Sequence, residues 1–211
     1  MSGLTNEWFI FHGVIDKKTC NKIKRLAQGN WVGASIDIKT TTLDEERKTG
    51  RKGDYKPDPR IRISDVSWIK DQWVYDIIWP FMQEANQIAG WSYHIKAAES
   101  MQLTRYKKGG FYIFHQDGRG DHLSAYNEPT NAFMHGHVRK LSMTLLLNDA
   151  YEGGEFQFAS YAKQQCQISS PEFNLSGSII VFPSEMEHRV APVTKGIRYS
   201  LVTWFLGPPF V

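Results

Sequence analysis

The sequence predicts a mostly β protein with helical support, a β-sandwich or jelly roll whose N-terminal helices buttress one face. Three observations predict it. After Gly90 the chain breaks into short strand-like segments separated by turn residues: Ser92 to Ile95, Ala98 to Tyr106, Tyr112 to His115, Lys140 to Leu147, Glu155 to Phe158, Ser178 to Phe182 and Arg198 to Phe205. Before Gly90, two stretches carry apolar residues at helical spacing. At 211 residues, with no internal repeat or low-complexity tract, one domain suffices: residues 1–91 as support and 92–211 as the β core.

Each element has its own argument. Trp8 to Ile15 is a short apolar run closed by Asp16, an N-cap for a helix through about Gln28. Ile15, Cys20, Ile23 and Leu26 form its dry stripe, and Lys17, Lys18, Lys22, Lys24 and Arg25 its wet face. Trp31 to Ile38 alternates as a strand does. From Lys39 to Arg60 the chain is charged, contains Gly and Pro and has almost no apolar residues, which predicts a flexible loop suited to a substrate flap or a solvated linker. Ser64 and Asp65 open a second helical pattern through Val66, Ile69, Trp73 and Ile77. Pro80 predicts a kink there or a further helix to about Ala89. Trp68, Trp73, Trp79 and Phe81 read as core packing.

Composition excludes more than it selects. The chain is 41% apolar and 22% charged, and its formal charge of +3 is too mild to indicate a nucleic-acid or membrane partner. Cys20 and Cys166 lie far apart without paired spacing, so free thiols in a reducing compartment are expected. No stretch has a signal-peptide pattern or 18 consecutive apolar residues, and a cytoplasmic protein is the default expectation.

Chemistry concentrates between Gln102 and Asp117. His115 and Asp117 are two apart on a segment that reads as extended, so both are expected to face one side and offer an imidazole and a carboxylate to one metal ion. The pair follows a glycine turn at Gly109-Gly110. His188, after the apolar run Ser178-Ile179-Ile180-Val181, is a third ligand candidate. Two His and one carboxylate make the facial set of non-haem Fe(II) oxygenases. Arg198 follows, with Pro192 and Gly196 bracketing a predicted turn that returns the chain to the same interior. A guanidinium in a β core needs an anion, and its fork suits a carboxylate.

On these residues, on Arg139 to Phe156 and on His188 to Arg198, the chain resembles Fe(II)- and 2-oxoglutarate-dependent dioxygenases of the prolyl 4-hydroxylase superfamily, and is similar to the PKHD-type hydroxylases of bacteria and phages. The likeness covers about Gln102 to Phe205. It implies a double-stranded β-helix, with His115, Asp117 and His188 as iron ligands and Arg198 on the distal carboxylate of 2-oxoglutarate. It also implies that Tyr106 and, more weakly, Ser200 serve the co-substrate, and that Gln102 and Trp204 line the site. Leu146 stands where some prolyl hydroxylases have a Tyr that helps hold the distal carboxylate. The implied reaction uses O2 to hydroxylate an aliphatic C–H, releasing succinate and CO2, with ascorbate as an added cofactor candidate. Retention of Asp117 favours hydroxylation over halogenation. A prolyl residue of a peptide or protein is the leading substrate, with residues 39–60 and Gly118 to His137 as recognition elements.

Rival readings follow from other residues. Free amino acids or other small molecules are alternative substrates. Nucleic acid is disfavoured because related demethylases carry a second Arg six after the first, where this chain has Trp204. His135-Gly136-His137 has the His-x-His spacing of cupins, but Lys140 and Leu141 stand where a Glu is wanted, so both His are expected in a loop. A non-catalytic jelly-roll binding module is the remaining alternative. His12 is expected to be a surface or packing residue, and Glu185 and Glu187 to be exposed.

Overall fold

The computed structural model describes residues 6–34, 36–38, 54–117, 125–162 and 165–210. In order, the elements are β1 (Phe9–Phe11), α1 (Lys17–Arg25), β2 (Val32–Gly33), β3 (Ile36–Ile38), β4 (Asp54–Lys56), β5 (Arg62–Ile63), β6 (Asp65–Ile69) and α2 (Gln72–Ile88). There follow β7 (Ala97–Ala98), β8 (Met101–Tyr106), β9 (Phe111–His115), β10 (Val138–Leu146), β11 (Tyr151–Gly153), β12 (Phe156–Ala162) and β13 (Gln165–Ser169). The last are β14 (Ile179–Pro183), β15 (His188–Val190), β16 (Val193–Gly196) and β17 (Arg198–Gly207).

Two antiparallel sheets form the jelly roll. The major sheet runs β1-β14-β10-β17-β8-β6-β2, with β7 added against β17, and the minor sheet runs β13-β12-β15-β9-β5. The major sheet has two unlike faces because strand side chains alternate. Met101, Leu103, Leu141, Met143, Leu145, Ile179, Val181, Leu201 and Phe205 join one buried cluster with Cys20 and Ile23 of α1 and Val74, Ile78, Met82 and Ala85 of α2. The residues between them look the other way. Tyr106, Leu146, Ile180 and Phe182 pack against Phe156, Phe158 and Val190 of the minor sheet.

The N-terminal helix is as expected: the Asp16 carboxylate accepts the Thr19 N–H at 2.9 Å. It ends at Arg25, short of Gln28. The second helical pattern is corrected by the fold. Asp65–Ile69 is a strand, and α2 begins only at Gln72. Val66, Ser67 and Trp68 pair with Thr104, Leu103 and Gln102 of β8, so cross-strand pairing overrides a spacing that also suits a helix. Asp65 therefore caps no helix. It meets Arg105 at 2.8 Å and Lys107 at 3.1 Å.

Pro80 neither kinks the chain into two helices nor ends one, since α2 runs through it. Proline leaves the carbonyl four residues back without its donor. Here that residue is Asp76, exposed like Pro80 itself, so water can take the donor's place.

Other expectations are also corrected. Trp31 to Ile38 forms two short strands, and Ser92 to Ile95 forms none. The predicted turn between Pro192 and Gly196 contains β16, paired with β11. Trp68 is 52% exposed and so is no core residue, whereas Trp73, Trp79 and Phe81 pack against the helix-side cluster. Of the loop predicted over 39–60, residues 39–53 lie outside the described residues. Its end includes β4 and a turn in which Asp58 accepts from Arg60 at 2.7 Å. His122 and residues 118–124 of the second recognition segment also lie outside the described residues.

Candidate metal and co-substrate site

The ligand candidates meet because of strand register. In the antiparallel β9–β15 pair, His188 and His115 are direct partners. Past that point Val190 pairs with Tyr112, so β9 carries one residue more than β15 over the same span. Such a bulge twists a strand and re-aims its side chains. The Tyr112 ring stacks on His115, centroids 3.5 Å apart. The turn before β9 needs glycine: a Cβ on Gly110 would sit 2.9 Å from the Ile63 carbonyl oxygen and 2.8 Å from that of Lys107.

Asp117 reaches the cluster differently from the expectation. β9 ends at His115, and Asp117 lies at a bend just beyond, its N–H donating to the Ser184 carbonyl at 3.0 Å. The ligand atoms of His115, Asp117 and His188 lie within 4.8 Å of one another. Asp117 Oδ1 is 3.9 Å from His115 Nε2, and Oδ2 is 3.6 Å from His188 Nε2. Each imidazole is oriented by a backbone carbonyl two residues back. His115 Nδ1 lies 2.9 Å from the Ile113 oxygen, and His188 Nδ1 lies 2.9 Å from the Met186 oxygen. With Nδ1 donating, both Nε2 lone pairs face the third ligand, the tautomer a metal requires.

Electrostatics agree with that donor set. His115 is driven down to about 3 by burial and by the facing His188. Burial alone would raise Asp117, but His188 and His115, then Arg139 and the Ser142 hydroxyl, outweigh it and hold the carboxyl below its usual value. His115 thus offers a neutral imidazole and Asp117 an ionised carboxylate, which together suit a divalent ion.

A cleft opens on these three residues, and Arg62, Gln102, Tyr106, Tyr112, Arg198, Ser200 and Trp204 are among its lining residues. Every residue expected to line the site is there. Tyr106 and Arg198 are cross-strand partners, and Leu146 pairs with Ser200. Arg198 is 1% exposed. Its Nη1 donates to Ser200 Oγ at 3.1 Å, whereas Nε and Nη2 have no partner among the described residues. Gly154 makes room for it, because a Cβ there would stand 3.0 Å from Arg198 Cδ. A buried cation with two unmet donors is costly unless an anion completes it.

Several residues at the cleft or behind its lining were not singled out by the sequence. Arg62 lies over the Tyr112 ring at 4.7 Å and donates to Gln102 Oε1 at 2.9 Å. Tyr112 is pushed up to about 12, chiefly by burial. Its place three residues before His115 was the available signal. Arg139 covers the Trp204 ring at 4.1 Å and grips Glu99 with two bonds of 2.6 and 2.7 Å. Ser142 donates to Asp117 Oδ2 at 2.6 Å. Of the distractors, His12 and His135 are exposed, and His135 to His137 form a loop as expected. Glu185 and Glu187 depart from expectation: both are half-buried, and Glu185 Oε1 lies 3.5 Å from the Tyr93 hydroxyl.

The family model of the 2OG-Fe(II) oxygenase superfamily matches residues 101–206, from the start of β8 to near the end of β17. The chain belongs to that superfamily. Within the 2OG-Fe(II) oxygenases, a PKHD-type hydroxylase of Xylella fastidiosa (strain M12) is 35% identical over 106 residues, covering 49% of this chain and 42% of that protein. The match thus spans about two fifths of that relative's length. A prolyl hydroxylase from Trichoplax adhaerens, solved with a hypoxia inducible factor peptide fragment, superposes with TM-score 0.62 at 16% identity, covering 95% of this chain and 84% of the other. A viral collagen prolyl hydroxylase from Paramecium Bursaria Chlorella virus-1, solved as a 2OG complex, gives 0.61 at 17%, covering 96% and 97%. At such identities the two structures speak for the fold alone, and the jelly roll is that of this superfamily.

Proposed function

We propose that this oxygenase hydroxylates an aliphatic C–H bond of a peptide or protein, a prolyl residue first among them, using Fe(II), 2-oxoglutarate and O2. The observation that carries the co-substrate is Arg198, a buried guanidinium with two unmet donors in the same cleft as two imidazoles and a carboxylate. A dicarboxylate answers both ends: one carboxylate for the fork of Arg198, the other for the ion held by His115, Asp117 and His188. Fe(II) with 2-oxoglutarate supplies the oxidising chemistry with O2, and the co-substrate leaves as succinate and CO2.

The chain's own residues bind, orient and exclude. Arg198 and Ser200 hold the distal carboxylate, with Tyr106 beside them as its wall, and Leu146 contributes only apolar surface where a second polar partner stands in some relatives. Phe156 and Val190 line the same cleft and keep its floor dry, which strengthens every charge interaction inside it. Gln102, fixed by Arg62, and Trp204, fixed by Arg139, stand at the cleft for the substrate. The peptide class is favoured by the Trichoplax neighbour, which was solved with a peptide fragment.

Two observations weigh against the rivals. His135 is exposed in a turn remote in kind from a metal site, which disfavours a cupin-like centre. The three ligand candidates are all present and converge, which disfavours a non-catalytic module. The deciding test is succinate formation by purified protein with Fe(II) and 2-oxoglutarate, with and without ascorbate, followed by mass spectrometry for a gain of one oxygen in proline-containing peptides. No succinate above the His188→Ala background would overturn the assignment.

A further inference from the structure

We propose that Ser142 is a positioning residue for Asp117, holding its carboxylate so that it meets the ion through one oxygen. The inference rests on the metal-centre reading above and deepens it. β10 is an apolar strand around this point, with Leu141, Met143, Leu145 and Leu146 all buried, and a hydroxyl there is costly unless bonded. Ser142 is 0% exposed and donates to Asp117 Oδ2 at 2.6 Å, the short distance of a charge-assisted bond.

A second serine completes the grip. Ser184, also 0% exposed, lies with its Oγ 3.0 Å from Ser142 Oγ. Because the single Ser142 proton is committed to the carboxylate, Ser184 must donate to Ser142 and polarise it toward Asp117. Ser184 also accepts the Asp117 N–H through its carbonyl at 3.0 Å, and donates its own N–H to the Lys140 carbonyl at 3.1 Å. Asp117 is therefore held at main chain and side chain from the β10–β14 pair and the residue that follows β14. The contrast with the two histidines explains the need. They sit in a strand ladder and are oriented by carbonyls of their own segments, whereas Asp117 lies past the strand end with no ladder of its own.

The test is Co(II) binding to the purified full chain without co-substrate, read by titration calorimetry and by the visible Co(II) band, which reports ligand number and geometry. Ser142→Ala is expected to weaken Co(II) binding about 10–100-fold, the usual effect of losing an outer partner of a ligand, and to change the band. Ser142→Thr, which keeps the hydroxyl, restores both, and Ser184→Ala falls between. If Ser142→Ala does not accumulate folded, Ser142→Cys, with a weak donor in nearly the same space, is read in the same way. Wild-type affinity together with a wild-type band in the variant lacking the hydroxyl overturns this inference alone. Failure of the unsubstituted chain to bind one Co(II), or undiminished binding by His188→Ala, overturns the metal centre itself.

Discussion

The two faces of the major sheet are built from the same strands and do opposite work. Along β17, Leu201 and Phe205 enter the apolar cluster beneath the helices, while Arg198, Ser200 and Trp204 enter the cleft. The helix-side face is mostly carbon and sulfur and gains by packing, although the buried Thr203 hydroxyl on it has no partner among the described residues. The cleft-side face buries a guanidinium with unmet donors and an indole N–H without a partner among the described residues. The difference teaches where stability was exchanged for chemistry: one face is closed almost wholly by its own chain, and the other keeps charged and polar donors unmet at a cleft.

The strongest way to break this contrast is to remove a ligand. His188→Ala is expected to lose both divalent-ion binding and turnover, assayed as succinate release, because His188 is the direct partner of His115. Next comes Arg198→Met. Truncating one member of a buried charge pair costs about 2–5 kcal/mol, so 2-oxoglutarate binding by calorimetry should weaken on the order of 10²-fold, with Co(II) affinity unchanged. The melting temperature of the ligand-free protein should not fall, since the substitution removes an uncompensated buried cation. Added 2-oxoglutarate should raise that temperature in the unsubstituted chain only.

Leu201→Ala probes the other face from a neighbouring position. It should cost about 2–5 kcal/mol in denaturant unfolding while leaving the ligand cluster's Co(II) band intact. A loss of metal binding without a loss of stability would refute the division between faces. The smallest effect is expected at the surface. Lys17 lies 3.2 Å from Asp149 with its side chain 73% exposed, and Lys17→Ala should change stability by less than about 0.5 kcal/mol.

What was legible in the sequence follows the same division. His115, Asp117, His188 and Arg198 could be singled out because a His-x-Asp pair, a later His and an Arg beyond a turn together make a donor set with one recognisable chemistry. The segments from β8 onward were legible in outline, since turn residues punctuate them. Asp65 to Ile69 was misread because Val66 and Ile69 lie three apart and five residues are too few to separate the two periods, so only the partner strand decides. The short strands β11 and β16 were missed for a related reason: a few residues carry no periodicity, and only the partner reveals them. Ser142, Arg62 and Arg139 were invisible as site residues, since their importance lies in which distant atom each touches.

The bulged pairing of β9 with β15 has one more consequence. A slip of one position between those strands would turn an imidazole toward the wrong side while leaving most backbone bonds replaceable. Such a chain would look folded and yet hold no ion. An ion bound by these side chains would therefore favour the one alignment in which the late histidine meets the early one.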